Sequence, residues 1–180
     1  MDKAQRLDEQ TVRFVRVFQA SPEQVWAYLV DGDKRSKWLC GGDWELKAGG
    51  RAPMVFDNPA LSDSDDLPPA RYTEETGEVI HEGSIKEIDA PQRLVLLWVE
   101  HDGTRSEVSF ELAGGSTQTT LTLTHRKLSN EDMLTGVCAG WHAHLDIYLA
   151  VMERRTPPSF WSRFNALAEN VYHHRIDGEV

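Results

Sequence analysis

The feature that most constrains this chain is one amphipathic stretch near its C-terminal end, Ser129 to Arg155. It opens Ser129-Asn130-Glu131-Asp132, a polar N-cap followed by acidic side chains that suit the positive end of a helix macrodipole. Leu134, Val137, Cys138, Trp141, Leu145, Tyr148, Leu149 and Met152 then recur in steps of three and four. That spacing places them on one stripe of an α-helix roughly seven turns long. Arg154 and Arg155 fall in the last turn, and Pro157-Pro158 end it. A helix of this length with one apolar face needs a broad apolar surface to lie on. The chain before it reads as that surface.

Met1 to Gln10 is charged and is expected to be loose, and Thr11 to Gln19, β-branched and aromatic, reads as a strand. Ser21-Pro22-Glu23-Gln24 starts a helix with a capping Ser, Pro at the first helical position and Gln three residues on. Its buried side carries Val25, Trp26 and Leu29, and a second short helix, Lys34 to Leu39, buries Trp38. Trp44 to Lys47 and Arg51 to Phe56 are expected to pair as a hairpin around Ala48-Gly49-Gly50. Asn58 to Glu75, with Asp63-Ser64-Asp65-Asp66 at its centre, reads as a long surface loop that could lie over one end of the domain. Four strands follow, about Glu78 to Asp89, Arg93 to Glu100, Arg105 to Leu112 and Thr117 to Arg126, joined by turn-like segments. In the last two, Val108, Phe110 and Leu112 share one face, as do Leu121, Leu123 and His125. An antiparallel meander of this kind has one wet and one buried face, and the long helix covers the buried one. Phe160 to Ile176 has helical spacing again and either packs back on the domain or forms a homodimer contact.

At 180 residues and 40% hydrophobic content the chain suffices for one domain with a sizeable core. The divisions expected are a flexible segment 1–10, the domain 11–156 and a helical extension 157–180. A formal charge of −10 argues against nucleic acid or an anionic membrane as the main partner. Two cysteines, Cys40 and Cys138, are too few for a disulfide framework and suggest reduced thiols in the cytoplasm, with Cys40 the more accessible. Neither an export signal nor a membrane span is expected, since no apolar run approaches the length of a span.

A strand, two short helices, a run of antiparallel strands and a long C-terminal helix make an α+β helix-grip arrangement, a curved sheet wrapped around the helix. Ser21 to Trp26, Leu46 to Arg51, Gly83 to Leu94 through Trp98, Thr119 to His125, Gly140-Trp141 and Leu145 resemble the START-like (SRPBCC) superfamily. Within it they resemble the branch named after the activator of the heat-shock-90 ATPase. The resemblance spans about Thr11 to Met152 and implies a cavity between sheet and helix. It does not imply one chemistry, because the superfamily includes lipid and hormone carriers, polyketide cyclases and oxygenase subunits. The co-chaperone of that name also has a separate N-terminal domain, for which this chain has no room, and this counts against chaperone activation.

Trp38, Trp98, Trp141 and Tyr148 are candidates for lining such a cavity, the alternative being that they simply fill the core. His125, in phase with Leu121 and Leu123, and His144, on the edge of the helix stripe, are candidate polar anchors for a ligand or a general base. His142 and Asp146 are spaced so that a carboxylate could orient an imidazole, and all three histidines could equally be structural. No metal site, cofactor or catalytic motif is implied. The leading expectation is a binding module for a small hydrophobic or amphipathic molecule in a closed cavity of a few hundred Å³. A cyclase- or hydratase-like enzyme would bring His125, His144 or Arg71 to the same cavity, and a chaperone-accessory or other protein-interaction module would use an outer surface.

Overall fold

The computed structural model describes residues 3–63, 65–73, 77–100 and 102–174. The expectations for Ser64, His101, and Arg175 and Ile176 of the terminal helix lie outside them. Eight strands and four α-helices follow in chain order among the described residues: β1 Gln5–Asp8, β2 Thr11–Phe18, α1 Pro22–Val30, α2 Gly32–Arg35, β3 Met54–Phe56, β4 Val79–His81, β5 Gly83–Asp89, β6 Arg93–Val99, β7 Arg105–Gly114, β8 Thr119–Arg126, α3 Glu131–Met152 and α4 Phe160–Leu167. Six strands form one antiparallel sheet in the order β1-β2-β8-β7-β6-β5, and β3 pairs with β4 in a separate ribbon. The helix-grip arrangement is present, with α3 on the buried face of the sheet.

Local chemistry accounts for much of this. Ser21 accepts from the Gln24 N–H and the Gln24 side chain accepts from the Ser21 N–H, a complete capping box with Pro22 opening α1. In β7 and β8 the in-phase residues meet as expected, Val108 opposite His125, Phe110 opposite Leu123 and Leu112 opposite Leu121. Asn130, rather than Ser129, caps α3 by accepting from the Met133 N–H. The helix ends at Met152, so Arg154, with φ +55°, lies just beyond the last turn.

Four segments differ from the sequence-based expectation. Gln5–Asp8 is a strand, turned onto β2 by an Asp8 side chain that accepts from the Gln10 N–H at 2.8 Å, and tied to α3 by Arg6–Glu131. The hairpin between 44–47 and 51–56 does not form. Backbone groups of Gly49, Gly50 and Ala52 bond to Ile85 and Gly83 of β5, and Met54–Phe56 pairs with Val79–His81. The second helix is Gly32–Arg35, earlier and shorter than expected, though Trp38 is fully buried as anticipated. Finally, the long strand from Glu78 divides at Glu82 into β4 and β5.

Arg35 explains how the α2 region is held. It is fully buried and donates to the carbonyls of Leu29, Val30, Cys40, Gly41 and Gly42, while its guanidinium stacks 3.5 Å from the Trp44 ring centre. Burial pushes its pKa down, but these acceptors suit a planar cation. The terminal helix packs back: Phe160, Trp161, Phe164 and Leu167 are buried, and a π-helical turn, Ala168–Tyr172, follows it. The acidic loop is pinned to the start of α4, with Asp66 accepting from the Ser162 N–H at 2.9 Å and hydroxyl at 2.6 Å.

Candidate functional site

At one end of the sheet the inward faces of β6, β7 and β8 carry Trp98, Ser106 and His125, with Trp98 directly opposite Ser106 and His125 opposite Val108. One alternation step beyond Trp98 the side chain of Glu100 also points inward, buried at the strand end. From the other side α3 supplies Val137, Gly140, Trp141 and His144, while Leu39 and Phe56 complete the wall. Together these residues line a cavity of ≈ 120 Å³ that opens to the surface and is not the closed chamber expected. It is smaller than expected because large rings occupy the space: Trp98 and Trp141 meet edge-on with centres 5.7 Å apart, and Phe160 lies 4.5 Å from the His144 ring.

A directional chain of hydrogen bonds runs along one wall. The Trp141 indole N–H, which can only donate, points to His125 Nδ1 at 3.0 Å. Nδ1 therefore carries no proton, and the proton sits on Nε2, 2.7 Å from Ser106 Oγ and 3.2 Å from Glu100 Oε1. The Ser106 hydroxyl donates to the same Glu100 oxygen. Burial alone would raise the Glu100 carboxyl, but the hydrogen bonds from His125 and Ser106 outweigh it and hold the group below the ordinary carboxylate value. Glu100 is thus ionised at neutral pH, and only one of its oxygens is engaged.

His144 is arranged differently. Its Nδ1 lies 2.8 Å from the Trp38 carbonyl, which can only accept, so the proton is on Nδ1. Burial pushes its pKa down to about 4 and keeps the ring neutral. Nε2 is left as a lone-pair acceptor with no hydrogen-bond partner among the described residues.

Of the six candidate residues, Trp98, His125, Trp141 and His144 come together at this cavity. Trp38 and Tyr148 do not line it. They stack on each other with ring centres 4.0 Å apart, Trp38 donating to the Tyr28 carbonyl and Tyr148 to the Val25 carbonyl, which fastens α1 to α3. His142 and Asp146 stand side by side as their spacing predicts, Nε2 3.7 Å from Oδ2, but away from the cavity, where His142 Nδ1 meets the Tyr172 hydroxyl at 2.8 Å and Asp146 pairs with Arg163 at 2.7 Å. Glu100, Ser106 and Phe56 are wall or network residues that the sequence reading missed. The first two had a signal, since each continues the inward alternation of its strand. Cys40 is buried, contrary to the expected accessibility, and burial pushes its thiol up to about 11. Among the described residues no group of three or more His, Cys, Asp or Glu is placed to hold a metal ion.

A polar recess of ≈ 300 Å³ adjoins the cavity and shares Glu100 and Val137 with it. Arg71, Tyr72, Asp102, Asp132 and His174 are among its walls, so Arg71 reaches the recess and not the apolar cavity. Tyr72 and His174 meet across it at 2.7 Å, and His174 Nδ1 lies 3.0 Å from Thr135 Oγ1.

A curved antiparallel sheet gripping a long helix, with a small cavity between them, defines a helix-grip protein of the START-like class. Residues 19–152 match the family described as activator of Hsp90 ATPase homolog 1-like protein, and the chain belongs to that family. It is similar to the protein encoded by gene BPP1335 of Bordetella parapertussis, known from a solution NMR structure. The two share 34% identity with a TM-score of 0.79, over 96% of this chain and 90% of that one. CalU16 of Micromonospora echinospora is 22% identical, with a TM-score of 0.64 over 95% of each chain. Protein MLL2253 of Mesorhizobium loti is 18% identical, with a TM-score of 0.65 over 81% of this chain and 98% of that one. These last two likenesses show the fold alone. No curated protein matches. No helix among the described residues is long and apolar enough to cross a membrane.

Proposed function

We propose that the chain binds a small, largely apolar molecule in the cavity between the sheet and α3. The observation that carries this reading is an apolar chamber with polar atoms at its wall that the protein leaves unused, the arrangement expected of a small-molecule site. The volume suits one ring, since a protein cavity of about 150 Å³ accepts benzene. A larger ligand would extend past Glu100 and Val137 into the polar recess. The engagement of both His125 nitrogens supports a binding role over one in which that ring acts as general base. Two free, buried cysteines agree with work in a reducing cytoplasm.

A thermal-shift series with single-ring compounds tests the reading on the wild type and on Val137→Phe, which plugs the junction of cavity and recess. The expected result is a melting temperature that rises with ligand concentration in the wild type and does not in the variant. A rise of equal size in both proteins would overturn it.

A further inference from the structure

The polar atoms at the cavity wall restrict what the ligand can be. Three polar side chains line the cavity, Glu100, His125 and His144. Both His125 nitrogens are taken, as is the Trp141 N–H. What remains is one donor, the Trp98 indole N–H, and two acceptors on side chains only 6% and 9% exposed, His144 Nε2 and the second oxygen of Glu100. Those acceptors have no hydrogen-bond partner among the described residues, and one belongs to an ionised carboxylate. Neither atom is shut off from solvent, so a ligand that fills the cavity must replace water at both with donors of its own, at a cost if it cannot. The aromatic wall offers the same preference, since the Trp98 and Trp141 rings attract a cation at their faces. In the recess beyond, Asp132 is paired with Arg71, and Glu100 and Asp102 share its wall in a chain of formal charge −10.

We propose that, where the cavity is the binding site read above, its ligand is a small hydrophobic amine held as the ammonium ion. The ammonium donates to Glu100, a further N–H or O–H reaches His144 Nε2, and the apolar body lies among Trp98, Trp141 and Phe56.

Three probes with the same ring separate this claim from the binding reading on which it rests: benzylamine, protonated at pH 7.5, neutral toluene and anionic benzoate. Calorimetric titration of the wild type is expected to give benzylammonium an affinity at least about tenfold above toluene, with benzoate the weakest. Glu100→Gln is expected to bring benzylammonium down to the level at which the same variant binds toluene. Toluene binding as tightly as benzylammonium, or benzoate binding best, overturns the amine assignment and leaves the cavity reading standing. Failure of all three overturns the cavity reading for single-ring ligands and this inference with it. Benzylammonium binding retained in Val137→Phe places the cation on the acidic surface and overturns the proposal. The order of the three probes on the wild type decides even where Glu100→Gln does not fold.

Discussion

Gly140→Ala sets stability against binding at one atom. Gly140 lies inside α3, where glycine costs about 0.8–1.0 kcal/mol relative to alanine. A Cβ built there meets no atom within 4 Å, because the position faces the cavity. The substitution should therefore stabilise the fold by about 1 kcal/mol, a rise of about 2–4 °C in Tm for a chain of this size. The same methyl occupies cavity space, and one methyl too many in a fitted apolar pocket weakens binding by about tenfold or more. Gly136→Ala, one turn earlier, is the internal control. It carries the same helix gain, but its Cβ would lie 2.9 Å from His174 Cε1 and 3.0 Å from Nε2. It must displace a ring that is hydrogen-bonded to Tyr72 and Thr135, at about 0.5–1.5 kcal/mol for each bond lost. Chemical denaturation with a toluene titration on each variant reads both quantities. A destabilised Gly140→Ala would refute the open space, and a stabilised one with unchanged affinity would refute the location of the ligand.

Other outcomes follow from single groups. Arg35→Lys should cost more than about 3 kcal/mol in urea unfolding, because an ammonium cannot reach five carbonyls and cover the Trp44 ring together; a loss below about 1 kcal/mol would contradict the role given to the guanidinium. Both cysteines should resist iodoacetamide in the folded protein at pH 8 and react on unfolding, since burial pushes Cys40 to about 11 and Cys138 to about 12. Rapid labelling of native Cys40, read by mass spectrometry, would contradict its burial. His144, at about 4 when folded against an unfolded value of about 6.5, leaves stability intact above that unfolded value. As pH falls the unfolded chain takes up the proton first, so stability declines between about 6.5 and 4, by up to about 1.4 kcal/mol per unit. His142, also pushed down to about 4 by burial, contributes over the same range, so His144→Gln, which keeps a donor for the Trp38 carbonyl, should make the decline shallower without abolishing it; equal slopes in both proteins would rule out His144 as a source.

The parts legible in the sequence are those where one segment carries its own reason. The capping box at Ser21, the alternation of Val108 to Leu112 against Leu121 to His125, and the stripe of α3 are local patterns, and each stands where expected. The segment from Trp44 to Phe56 was not legible, because its partners are remote: β5 takes the backbone of Gly49 to Ala52, and Val79–His81 takes Met54–Phe56. Among the aromatic candidates, periodicity could not separate Trp98 and Trp141 from Trp38 and Tyr148. All four are buried, and only the packing of α1 against α3 turns the second pair into a stacked core contact. Glu100 stands beside a turn, where a carboxylate is ordinary, yet its phase with Leu94, Leu96 and Trp98 marked it as inward-facing.

The central claim is that the space between sheet and α3 receives a ligand, and NMR of the indole N–H groups tests it most directly. Titration with toluene should give saturable shifts of the Trp98 and Trp141 resonances, whose rings line the cavity, and leave Trp26 and Trp44 in place. The Trp141 signal reports most sharply, because its proton is held by His125. Saturation confined to those two indoles is the result expected here. Unmoved Trp98 and Trp141 signals at saturating toluene would contradict the account.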